Sequence, residues 1–150
     1  MISTPVAPVL APPSMSPPDV ELLELAQTLL RRVWTHDRHE VATALRTVDG
    51  AVYTGVHVEG SCRRSSICAE GVAMGTARAG LAPDAPLLVD SVVSVQIKPA
   101  GVFRVIAPCG VCRELISDYS PEATVWLTSG EAVVPVRALD LLPDKTRRAW

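Results

Sequence analysis

Three of the four cysteines in this chain fall into two short pieces, Cys68-Ala69-Glu70 and Pro108-Cys109-Gly110-Val111-Cys112, and these pieces constrain the fold more than anything else in it. Three thiols can hold a zinc ion and leave a fourth position open for water, which is the catalytic rather than the structural way to bind that metal. Each piece opens a stretch that reads as helix, Cys68 to Gly80 and Cys109 to Tyr119. Each thiol group therefore sits at or near a helix N-terminus, where free N–H groups and the helix dipole favour thiolate over thiol. Cys109 and Cys112 are one turn apart and can face the same way. Glu70, two residues past Cys68, is within reach of a water on such a metal, and its natural role is proton carrier.

The remaining chain supplies a scaffold of alternating periods. Residues 1–18 hold six prolines and no charged side chain, which predicts an extended, poorly ordered tail ahead of a single domain over 19–150. Asp19 then leads into an amphipathic helix with Leu22, Leu25, Ala26, Leu29, Leu30 and Val33 on one face. From His39 the period becomes two, and VATALRTV and AVYTGVHVE flank Asp49-Gly50 as a hairpin. Further strands are expected at 87–98, 102–107, 123–129 and 132–139, with Pro135 placing the last at an edge or Pro135 itself near a strand end. Strands alternating with the two cysteine helices predict an α/β protein with a mixed sheet between helical layers.

Composition narrows the partners. A net charge of −2 and a pI near 5.9 give no electrostatic footprint for nucleic acid, so a small free molecule is the expected ligand. No basic-then-apolar segment opens the chain and no run approaches a membrane span, which points to a cytoplasmic protein without membrane association. There, a Cys-x-x-Cys is more often a ligand pair or a redox centre than a bridge. Cys62 competes as a fourth ligand in a closed, four-thiol site, but its spacing from Cys68 is too wide for the usual short pairs.

Cys-Ala-Glu and Pro-Cys-x-x-Cys-Arg, each opening a helix, resemble the zinc-dependent cytidine deaminase family of the three-cysteine, homotetrameric type. The likeness runs over roughly 20–143: VATALRTVDGAVYTGVHVEG is similar to the family's first hairpin, and ALDLLP to its closing Leu-Leu-Pro. VYTGV and GTARAG look most like the blasticidin S deaminase branch. The resemblance implies a three-layer α-β-α fold with a mixed five-stranded sheet, Zn²⁺ on Cys68, Cys109 and Cys112, Glu70 as acid and base, and Ala69 backbone on the base edge. It also implies a homotetramer acting on a free cytosine nucleoside in pyrimidine salvage, or on an aminoacylnucleoside antibiotic such as blasticidin S. A zinc-stabilised interaction domain that has lost its reaction is the reading from another class, and the intact Glu70 argues against it.

Departures from the family pattern locate the specificity. Where the family holds ribose with Asn-x-Glu, this chain has His57 and Glu59; Glu59 matches, His57 replaces the amide, and Gly60 stands where Asn is usual. His57 can still make one hydrogen bond to a hydroxyl, or it is a surface histidine at a strand end. His39 is a weaker candidate for stacking on the pyrimidine. Gly71 stands where an arginine often offsets the ligand charge, leaving Arg113 to do so from beyond the ligands. After Leu-Leu-Pro, either Trp150 or the basic run Lys145–Arg148 closes the site, or the terminus frays.

Overall fold

The structure, a computed structural model, describes residues 6–98 and 101–149. Helix α1 spans Pro17–Val33, β1 Val41–Thr47, β2 Val52–Val56, α2 Ala69–Gly80, β3 Val89–Ile97, β4 Phe103–Val105, α3 Gly110–Tyr119, β5 Thr124–Ser129 and β6 Ala132–Arg137. The strands form one mixed sheet in the order β2-β1-β3-β5-β6, with the short β4 pairing β3. The sheet is thus six-stranded rather than five, because the three residues Phe103–Val105 pair antiparallel with the end of β3. The β3–β5 pair is parallel and the other pairs are antiparallel. Pro135 lies in the edge strand β6, where its missing N–H costs no ladder bond on the open side.

Alternation along the central strands divides the core in two. Val93 and Val95 of β3, with Ala42 and Ala44 of β1, pack beneath α1. Val92 and Leu45 point the other way, to α2 and α3. This gives the three layers. On α1 the buried stripe is Leu22, Leu23, Ala26, Gln27 and Leu30, while Leu25 is 40% exposed, so the helix is rotated from the face its leucine spacing suggests.

Gln27 is buried because it serves the N-terminal segment. Its side chain accepts from Val9 N at 2.7 Å and donates to Val9 O at 3.2 Å, while Arg31 donates to Val6 O. Val6 and Met15 are buried in the α1 core. Where proline content suggests a free tail, residues 6–16 lie along α1 as a strap held by these side-chain hydrogen bonds and by an isolated parallel bridge between Ala7 and Val102. The helix begins at Pro17, since proline at a first turn lacks only an N–H that would be unpaired anyway. Asp19 is buried there between Arg46 at 2.7 Å and the Trp126 indole N–H at 2.8 Å, tying α1 to β1 and β5. Among the described residues no helix is long and apolar enough to cross a membrane.

Candidate active site

Both cysteine pieces meet at one end of the sheet. Cys68 and Cys109 are the residues that cap α2 and α3, in extended conformation with φ −66° and −68°. Cys112 follows one turn into α3 and is 1% exposed. A close approach sets this geometry: a Cβ on Gly55 of β2 would lie 2.3 Å from Ala69 O and 2.4 Å from Ala73 N, so only glycine lets β2 run against the first turn of α2. The Sγ atoms of Cys68 and Cys109 are 3.4 Å apart, and the three sulfurs all lie within 4.8 Å of one another. Zn–S bonds of about 2.3 Å in a tetrahedron put sulfurs about 3.8 Å apart, so these three thiols fit zinc with small side-chain adjustments. Cys62 is exposed and lies outside the group.

The thiols do not ionise alike. Burial, then Cys109 and the Glu70 carboxylate, push the Cys68 thiol up to about 11. Burial also pushes Cys112 up strongly, aided by the negative charge of Glu70 and the other two sulfurs. At Cys109 partial burial is outweighed by the backbone N–H groups of Cys112 and Val111 and by the Cys68 thiol, and its pKa falls below the ordinary value. The helix N-terminus therefore favours thiolate at Cys109, while crowding of negative charge wins at the other two.

Glu70 sits in the first turn of α2, 4% exposed. Its Oε1 accepts from Ser94 Oγ at 3.0 Å, and its Oε2 lies 3.5 Å from Cys112 Sγ. A cavity of about 290 Å³ opens over Cys68, Ala69, Glu70 and Cys109, walled further by His57, Glu59, Glu40, Val41, Gln96 and Lys98. His57 and Glu59 follow the end of β2, with Nε2 3.2 Å from Glu59 Oε2. The Ser66 hydroxyl donates to Glu59, and with the His57 ring it holds that carboxyl below the usual range. Nδ1 of His57 is buried without a partner. Ala69, fully buried, is also among the residues lining the cavity.

Other expected residues are placed elsewhere. His39 gives its Nδ1 to the His57 carbonyl at 3.0 Å and is not part of the cavity wall. Arg113 donates to Pro108 O at 2.9 Å and Leu141 O at 3.2 Å, so it braces the loop that carries Cys109 through backbone contacts. Lys145 pairs with Asp118 at 2.7 Å and Arg147 donates to Asp118 O, so this part of the basic run lies along α3 instead of over the cavity. Trp150 lies outside the described residues. Sequence reasoning missed Glu40, Ser94, Gln96 and Lys98. The signal for two of them was present: Ser94 and Gln96 are polar at alternate positions of the apolar run VDSVVSVQI.

Comparison with known proteins places this geometry among relatives. The sequence profile described as "Cytidine and deoxycytidylate deaminase zinc-binding region" matches residues 17–128. Blasticidin-S deaminase of Bacillus cereus is 33% identical over 139 residues, covering 90% of this chain and 96% of that one. The crystal structure of cytidine deaminase from Burkholderia pseudomallei is similar with a TM-score of 0.68 at 30% identity, over 88% of this chain and 100% of that one. The cytidine deaminase from Bacillus anthracis shares the fold with a TM-score of 0.70 at 21% identity, over 85% and 88%.

Proposed function

Because the chain belongs to the zinc-binding cytidine and deoxycytidylate deaminase family, we propose that it hydrolytically removes the 4-amino group of cytosine in a free nucleoside of the cytidine or deoxycytidine type. The observation that carries this reading is a buried carboxylate, Glu70, with one oxygen bonded to Ser94 and the other beside the thiol group, at the floor of a cavity sized for one small molecule. Cys68, Cys109 and Cys112 would hold the zinc, which would supply a Lewis acid able to activate water near neutral pH.

Glu70 does the proton work. Its Oε2 takes a proton from the attacking water and delivers it to ring N3, which makes C4 electrophilic as the water oxygen adds there. A second proton travels by the same oxygen to the exocyclic nitrogen, the C–N bond breaks, ammonia leaves and C4 becomes a carbonyl. Ala69 backbone holds the base edge. Glu59 accepts from sugar hydroxyls, and His57 orients Glu59.

A second reading has its own support. A cavity of about 550 Å³ lined by Asp37, Glu40, Glu59 and Lys98 adjoins the first and shares three of those walls with it, giving room and negative charge for an amine-bearing substituent. An aminoacylnucleoside such as blasticidin S carries one, and a blasticidin-S deaminase is among the relatives. The test is loss of cytosine-ring absorbance with zinc-loaded protein on cytidine, deoxycytidine and blasticidin S in parallel. Turnover of the simple nucleosides supports the first reading, turnover of blasticidin S alone replaces it with the second, and silence on all three overturns both. The assembly we propose is a homotetramer, supported by the family likeness and by exposed Ile67, Val111 and Tyr119. Light scattering should then give about four times the 16.0 kDa chain mass. Cytoplasmic pyrimidine salvage is the setting that a nucleoside substrate implies.

A further inference from the structure

Two hydroxyls lie behind the cavity in a place where apolar side chains are expected. Thr43 of β1 and Ser94 of β3 are directly opposed across the ladder, 0% and 4% exposed. They face the same side as Leu45 and Val92, which pack beneath α2. Burying hydroxyls in such a layer is unfavourable unless each is hydrogen-bonded. Thr43 Oγ1 and Ser94 Oγ are 2.7 Å apart, and Ser94 Oγ donates to Glu70 Oε1 at 3.0 Å. A hydroxyl has one proton to give. Since that of Ser94 goes to Glu70, Thr43 must be the donor to Ser94. The chain runs Thr43 to Ser94 to Glu70, and each donation strengthens the next.

We infer that Thr43 and Ser94 are positioning residues for the acid–base carboxylate, an inference that rests on the proton role given to Glu70 above. A carboxylate's last torsion is soft and nearly two-fold, so packing alone would let the two oxygens exchange places. The hydroxyl chain removes that freedom. Oε1 is held against the sheet, and Oε2, on the Cys112 side, is the oxygen presented to water and substrate. Displacement of a reacting group by about 1 Å can lower a rate about 10²-fold, so a device fixing this torsion acts on turnover rather than on binding.

Three variants test it: Ser94→Ala, Thr43→Val and Thr43→Ser. Ser94→Ala should lower kcat about 10- to 100-fold with KM within about twofold and zinc content unchanged. Thr43→Val keeps the side-chain shape and loses the hydroxyl; Thr43→Ser keeps the hydroxyl and loses a methyl. If the chain positions Glu70, Thr43→Ser retains kcat close to wild type and Thr43→Val does not, whereas a packing role reverses that order. Crystal structures of the metal-free wild type and Ser94→Ala supply a readout independent of turnover, in which the Glu70 carboxylate should be turned in the variant. Wild-type kcat in Ser94→Ala, the packing order at Thr43, or an unmoved carboxylate would each overturn the inference. A wild type silent on every cytosine substrate would instead sink the functional reading, while the two crystal structures would still decide whether Ser94 sets the carboxylate.

Discussion

The contact between β2 and α2 predicts that one substitution, glycine to alanine, has opposite effects at two positions. A Cβ at Gly55 would stand 2.3 Å from Ala69 O and 2.4 Å from Ala73 N, where ordinary contact begins at 3.4 Å. Both obstacles are backbone of the helix that carries Glu70, so no side chain can swing away and α2 must retreat by about 1 Å. Overpacking of this kind costs about 1–3 kcal/mol, and a chain of this size loses about 2–4 °C of Tm per kcal/mol, so Gly55→Ala should melt about 2–12 °C lower. The same retreat carries the 3.0 Å Ser94–Glu70 hydrogen bond out of range and moves Cys68 off its partners, so turnover should fall about 10²-fold. Gly75, exposed on the same helix with nothing within 4 Å of its would-be Cβ, is the control. There alanine adds helix propensity worth about 0.5–1 kcal/mol and should raise Tm slightly with activity intact. Melting curves and steady-state rates on both variants decide the matter. Wild-type stability and rate in Gly55→Ala would refute the argument that this contact sets the site.

Glu70→Gln keeps the length of the side chain but cannot carry a proton. It should lose about 10²–10⁴-fold in kcat while binding zinc at the wild-type stoichiometry, and near-full activity would sink the proposed mechanism. Zinc uptake should release protons, because the metal binds thiolate while the Cys68 thiol is raised to about 11 and Cys112 is raised strongly by burial. Groups raised above the ambient pH are protonated in the metal-free protein, so apparent zinc affinity should climb with pH, with about two to three protons released per ion near pH 7.5. An indicator-dye titration of metal-free protein measures that count; fewer than one proton per zinc would mean the thiols are already ionised.

Much of the scaffold was legible because its elements declare their own periods. The shift from a 3.6-residue repeat before Val33 to a two-residue repeat after Val41 survives in any tertiary setting, and so do the turn at Asp49-Gly50 and the two cysteine-capped helices. The residues of the thiol group stood out because cysteine is rare and its spacing is chemical. What stayed hidden depends on partners distant in sequence. Proline in residues 6–16 disfavours helix and central strand, but the Gln27 amide and the Arg31 guanidinium on α1, with the Ala7–Val102 bridge, hold that backbone along the helix. Leu23 rather than Leu25 is buried because α1 is rotated by its Asp19 anchor to Arg46 and Trp126. Lys145 looks free to cover a substrate until the α3 carboxylate of Asp118 is seen beneath it.

The site also shows why register matters more here than composition. Along β3 the residues facing α2 run Val92, Ser94, Gln96: first in the core, then against Glu70, then in the cavity wall. Opposite them on β1 stand Leu45, Thr43 and Val41 in the same order. Polarity on β3 is therefore graded along one face of one strand, and the reaction site lies where the core ends. A slip of one residue would turn Val93 and Val95 toward the carboxylate and bury Ser94 under α1, with no change in sequence at all. The irregularity in this ladder falls between Arg46 and Thr47, at the far end of the pair from Gln96. Arg46, gripped by Asp19 and Asp90, holds the strand at that end, so the regular pairing that places Thr43 opposite Ser94 is kept where the proton carrier needs it.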